Sequence, residues 1–148
     1  MTDRPTTPAD PTSPASTSPA DPVEYHDYEY ALIRAVPRVE RGELVNLGVL
    51  VYCRWREELA VRTLLPEAKL LALDPAVDLA AVARALRGIE GVCAGGAAGG
   101  SARGDSPGRR FRWLTAPRSA VVQPGPVHTG LTADPAGELE RLFAQLVA

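Results

Sequence analysis

LVNLGVLVYC, residues 44 to 53, is the stretch on which the reading of this chain turns. Val45, Leu47, Val49, Val51 and Cys53 recur at period two, while Asn46 and Gly48 fall on the other face. Such alternation marks a β-strand with a buried face. Glycine inside a strand permits close approach of another backbone or a ligand, or else marks a bulge or accommodates a large side chain such as Trp55 or Trp113. A packing role is therefore expected of Gly48. Downstream, the polar link RWREE leads into LAVRTLL, so residues 44 to 64 read as an antiparallel hairpin. Upstream, YHDYEYALIRAV mixes aromatic and β-branched residues as a strand does. Tyr28, Tyr30, Leu32 and Val36 share one of its faces, broken by Arg34, and Ala31, Ile33 and Ala35 share the other. Both faces are thus expected to be at least partly covered. Pro37 removes a ladder donor, and the charged run RVERGE with Gly42 turns the chain between the two strands.

Further along, Asp74-Pro75 and Asp134-Pro135 each precede helical spacing. An aspartate carboxylate caps free N–H groups and proline fits the first helical turn, so both dipeptides read as helix starts. Leu79, Val82, Leu86 and Ile89 mark the first helix, with Gly91 as its stop. Leu139, Leu142, Phe143, Leu146 and Val147 mark the last. Between them GVCAGGAAGGSARGDSPG is too rich in small residues to hold a packed element, and a flexible loop is expected at about residues 94 to 108. FRWL follows, then strands at Ser119 to Gln123 and around Val127 to Leu131. These elements define an α+β domain: an antiparallel sheet of about five strands with two or three helices packed mainly on one face.

Residues 1 to 22 hold six prolines and eight Ser/Thr, with Met1 as the single large apolar residue. Too little can be buried there to offset the entropy of ordering, so a disordered tail is expected, followed by a single domain over residues 23 to 148. No apolar run of a secretory signal and no stretch near the ~18 apolar residues of a membrane span is present, which predicts a soluble, cytoplasmic protein without a membrane partner. The tail accounts for the whole formal charge of -2. A neutral domain gives no bulk electrostatic argument for nucleic acid. Nearly all its basic residues are Arg and Ala is abundant, a trace of a GC-rich bacterial genome. Cys53 and Cys93 are spaced as reduced core thiols. Together with His26 and His128 they total four soft ligands, yet no two have the spacing of a structural zinc site, so no metal is expected. The glycine-rich segment lacks the Gly-Lys-Ser/Thr ending that cradles phosphates, and no cofactor is expected either.

The pairing of YEYALIRAVPRVERGELVNLGVLVYC with FRWLTAPRSAVVQPGPVHTGL and a closing DPAGELERLFAQLV resembles the bacterial family catalogued as domain of unknown function 3037, over about residues 25 to 148. The resemblance implies one domain and carries no activity, substrate or catalytic residue. Some relatives are encoded beside proteins with a HipA-like kinase domain, which implies a possible protein partner.

Site candidates concentrate late in the chain. From Ser106 to Ala133 there is no carboxylate, while Arg109, Arg110, Arg112, Arg118 and His128 all fall there, with Arg103 just before. Guanidinium forks bind carboxylates and phosphates, and Phe111 and Trp113 alternate with them as stacking partners do. The contrary reading is a solvated arginine loop whose aromatics anchor it to the core. Pro117, Pro124 and Pro126 fix backbone angles around the Val121–Val122 strand and so are expected to hold Arg118 and His128 in place. No nucleophile or orienting carboxylate lies near His128 in sequence, and a thiolate at Cys93 is disfavoured at the C-terminal end of a helix. Glu24, Asp27, Glu29, Glu40 and Glu43 around the first strand are interleaved with Arg38 and Arg41, as in a salt-bridged turn. No catalytic residue is therefore assigned, and the reading leans away from an enzyme. It leads instead to a non-catalytic protein-interaction module whose contact surface is the Arg-rich segment 103 to 118 and the adjoining strand. The alternative is an anion or nucleic-acid binder using Arg109, Arg110, Arg112, Arg118 and His128, with Trp113 stacking and Gln123 beside them. A third, enzymatic, reading needs His128, Arg118 and a carboxylate such as Glu43 in one pocket.

Overall fold

Apolar side chains on both faces of the first two strands require cover on both sides of the sheet, and the molecule supplies it. The computed structural model describes residues 22–102 and 104–148; the proposed tail up to residue 21, and Arg103, lie outside the described residues. The strands are β1 (His26–Ala35), β2 (Val45–Cys53), β3 (Glu58–Thr63), β4 (Val122–Pro124) and β5 (His128–Thr132). The helices are α1 (Glu67–Leu73), α2 (Leu79–Ala94), α3 (Pro107–Thr115) and α4 (Pro135–Leu146). All pairings are antiparallel, in the order β3-β2-β1-β4, and β5 also pairs with β1. The short β4 takes Ile33 to Ala35 of β1, whereas β5 takes His26 to Tyr30. The α+β class and the antiparallel five-strand sheet are those expected from sequence.

Three helices cover one face and the fourth covers the other. Ile33, Ala35, Leu47 and Leu50 pack with Leu70 of α1, Val82, Leu86 and Val92 of α2, and Phe111 and Leu114 of α3. On the opposite face Tyr28, Val49 and Val51 pack with Leu139, Leu142 and Phe143 of α4. α4 lies over β2 and β3, and Tyr28, Tyr30 and Leu32 of β1 pack against its flank.

The face assignment of β2 needs correction. The period-two alternation breaks at Leu47, where the register with β1 jumps from Ile33↔Gly48 to Arg34↔Asn46. Leu47 is the extra residue of a β-bulge, which returns the phase by one position. Val45 and Leu47 therefore face the three-helix layer, while Val49 and Val51 face α4. Gly48 has the packing role expected of it: a Cβ there would lie 2.6 Å from the Arg62 carbonyl oxygen of β3.

Helix boundaries also shift. Asp78, not Asp74, caps α2, its side chain accepting from the Ala81 N–H at 3.0 Å. Asp74 instead accepts from the Ala76 N–H in the turn after α1. Gly91 does not stop α2, which runs to Ala94 and ends at Gly95 with φ of 72°. The segment expected to be a loop holds a 3-10 stretch over Gly96–Ala102 and then the start of α3. Ser106 caps α3, accepting from the Arg109 N–H, with Pro107 in its first turn. The second Asp-Pro pair opens α4 as expected.

Candidate functional site

The candidate residues are distributed by α3 and the strands to four separate places. Arg110 turns inward. It is 9% exposed, and its Nη1 donates to the carbonyls of Val92 (2.6 Å) and Cys93 (2.7 Å), while Nε donates to that of Asp105 (3.2 Å). The Val92 and Cys93 carbonyls are ones that the end of α2 leaves without helical partners, and Asp105 lies in the turn before α3, so Arg110 is a side-chain cap that fastens α3 to α2. Burial pushes the neighbouring Cys93 thiol up to about 12, so it stays protonated at neutral pH.

Arg109 and Arg112 face outward at the start of α3. With Arg54, Tyr52, Glu29, Ser106 and Gly108 they line an open hollow of about 490 Å³. Arg112 Nη2 donates to both carboxylate oxygens of Glu29 at 2.8 Å. Tyr52 stacks on Phe111 with ring centroids 5.3 Å apart, and its hydroxyl lies against Gly108, where a Cβ would come within 2.6 Å of it.

Trp113 and Arg118 form a third unit. Trp113 is 50% exposed. Together with Ala85, Ile89, Val92 and Val122 the two line a hollow of about 390 Å³ between α2 and the chain leading to β4. A second hollow of about 280 Å³, lined by Val77, Ala81, Val82, Ala85, Val121 and Val122, continues it toward the start of α2. Ala85 and Val122 belong to both, so the hollows form one apolar groove along α2. Asp74 and Asp78 stand at one end and Arg118 at the other.

Gln123 and His128 lie on the opposite face of the sheet, paired across from Arg34 and Tyr30 of β1. The His128 ring centroid is 5.1 Å from that of Tyr30, and Gln123 Nε2 donates to the Ala120 carbonyl at 2.7 Å. Arg34 Nε is buried there without a hydrogen-bond partner among the described residues. Arg118, Gln123 and His128 therefore do not converge. Nor does Glu43 reach His128, because Arg41 pairs with it in the turn before β2, beside the neighbouring Arg38–Glu40 pair. The His128–Arg118–Glu43 constellation is not assembled. Among the described residues no group of three or more His, Cys, Asp or Glu is placed to hold a metal, and no helix is long and apolar enough to cross a membrane.

Sequence reasoning missed Arg54, Tyr52 and the small-residue face of α2. Arg54 sat in what read as a polar link, and nothing local announces that it meets α3, more than fifty residues later. Ala81, Ala85 and Gly88 do repeat at helical spacing, which is the signal for the groove.

The architecture defines a single-sheet α+β domain with one long groove on its three-helix side. The chain belongs to the family described as protein of unknown function (DUF3037), whose model matches residues 30–147. Comparison with curated proteins and with solved structures returns no match.

Proposed function

We propose that this domain is a non-catalytic interaction module that takes an apolar segment of a protein partner into the groove between α2 and residues 113 to 122. The observation that carries this reading is the continuity of the two apolar hollows through Ala85 and Val122, walled by the half-exposed Trp113 and the exposed Val121. Isolated apolar side chains are ordinary on a protein surface, but a contiguous apolar concavity with a polar rim marks a binding site. Tryptophan and arginine at such a rim are the residue types that concentrate binding energy. Small side chains at Ala81, Ala85 and Gly88 allow a partner backbone to approach α2 closely. Asp74 and Asp78 favour a basic group at one end of the partner segment, and Arg118 an acidic group at the other.

The test is affinity capture from cells that normally make the protein, run in parallel with Ala85→Arg, which fills the groove where the hollows meet. A protein with a HipA-like kinase domain, implied by the family resemblance, is the first partner to probe. A partner retained by the wild type and by Arg54→Ala but lost by Ala85→Arg is the expected outcome. Equal retention by Ala85→Arg and wild type, with the variant folded by circular dichroism, overturns the reading.

A further inference from the structure

The hollow at the start of α3 has no part in the apolar groove, and its charges are not balanced. Arg54 reaches it from the turn after β2, and Arg109 and Arg112 from α3, around a floor formed by Tyr52. Among the described residues Glu29 is the only carboxylate in its lining, and the Arg112 pairing neutralises it. Among the described residues no carboxylate lies within ion-pair distance of Arg54 or Arg109. Two guanidiniums facing one hollow repel, and an oxyanion between them replaces that repulsion with charge-assisted hydrogen bonds. A second hollow of about 340 Å³ adjoins this one, sharing Glu29, Tyr52 and Arg54, and is lined by Asp27 and Thr129 as well. A carboxylate and a hydroxyl there accept from, and donate to, alcohol groups.

We propose that the paired hollows bind a small phosphate ester, with the phosphate between Arg54 and Arg109 and its hydroxylated portion against Asp27 and Thr129. A phosphate presents oxygens to both guanidiniums, Arg54 and Arg109, that have no ion-pair partner among the described residues, while Asp27 in the adjoining hollow accepts from the alcohol groups of the ester. The fork geometry of guanidinium suits its oxygens, and the opening turn of α3 adds the positive end of its dipole.

The test is titration of the full chain, labelled with 15N, with inorganic phosphate, ribose 5-phosphate, unphosphorylated ribose and a single-stranded oligonucleotide, reading the amide shifts of Gly108 and Arg109. Saturable shifts with ribose 5-phosphate, weaker binding of inorganic phosphate and no response to ribose are expected. Arg54→Ala and Arg109→Ala each weaken the ester by about tenfold or more, as loss of a charge-assisted bond does. Ala85→Arg leaves it unchanged, which separates this site from the groove. Absence of saturation up to about 10 mM ester, a concentration at which even weak specific binding registers, overturns the proposal. So does an unchanged affinity in both arginine variants, or binding of the oligonucleotide alone. Equal affinity for inorganic phosphate and ribose 5-phosphate overturns the role of Asp27 and Thr129.

Discussion

The Arg118 guanidinium lies 4.7 Å from the centroid of the Trp113 ring, and its Nη2 donates a 2.6 Å hydrogen bond to the Trp113 carbonyl. The pair ties the chain leaving α3 back onto the helix and holds the indole at the groove wall. An exposed cation–π contact is worth about 0.5–1 kcal/mol, so Arg118→Ala is expected to change stability by no more than that. Partner capture should nevertheless fall several-fold, because the indole loses its fixed orientation and the groove its cationic end. Thermal melts and capture run on one preparation check both halves of this expectation.

Arg110 gives the opposite prediction, a large effect on folding and none on ligands. Its guanidinium satisfies three main-chain carbonyls at the junction of α2 and α3. Arg110→Ala strands buried acceptors and is expected to cost about 2–4 kcal/mol in urea unfolding. Arg110→Lys should recover only part of this, because an ammonium lacks the planar fork. A loss below about 0.5 kcal/mol in Arg110→Ala, the range of ordinary surface changes, contradicts the capping role.

How much of this was legible depends on whether the deciding signal was local. The strands, the last helix and the α+β class follow from periodicity and turn chemistry, which act within a few residues. The bulge at Leu47 was hidden because a one-residue slip leaves the apolar content of β2 unchanged, and only pairing with β1 reveals it. The Ser106-Pro107 start of α3 carries the same cap logic as Asp134-Pro135, but the glycine-rich run before it masked the signal. Asp74 misled because Asp78, four residues on, offers the better cap. The arginines of residues 109 to 118 form one patch in sequence. Helical geometry sends Arg110 inward and Arg109 and Arg112 to one hollow, while the turn after the helix sends Arg118 to another. Convergence of Arg54 with α3 is a tertiary fact with no local trace.

Tyr28 and Glu138 join the sheet to α4, the phenol donating to the carboxylate at 2.5 Å. Burial, and secondarily this carboxylate, push the Tyr28 hydroxyl up to about 12 from 10.0. A group raised in the folded state contributes fully below its unfolded value and loses that contribution as pH rises through the folded one. The stability advantage of wild type over Tyr28→Phe should therefore hold at neutral pH and shrink between pH 10.0 and about 12. The Arg141 guanidinium holds the Glu138 carboxyl below the usual range, so its contribution is present at neutral pH and lost as pH falls from the usual carboxylate range through the lowered folded-state value. Glu138→Gln should flatten the acid limb of the profile. Urea unfolding across pH measures both limbs.

Gly48 sits where β2 and β3 leave no room for a side chain. Gly48→Val places atoms against the Arg62 carbonyl and is expected to destabilise by about 2 kcal/mol or more, as overpacking at a backbone contact does. Gly88→Ala, with open space at its Cβ position, serves as the control and should be neutral or slightly stabilising.

The most direct measurement of the central claim is site-specific photo-cross-linking in cells from Val121 on the groove wall, compared with Leu131 on the free edge of β5. Both side chains are exposed, at 41% and 64% respectively, so accessibility does not bias the comparison toward the groove. The account predicts one discrete protein adduct from position 121 that disappears when Ala85→Arg is present, and no such adduct from position 131. An adduct from position 131 alone, or one from position 121 that survives Ala85→Arg, contradicts it.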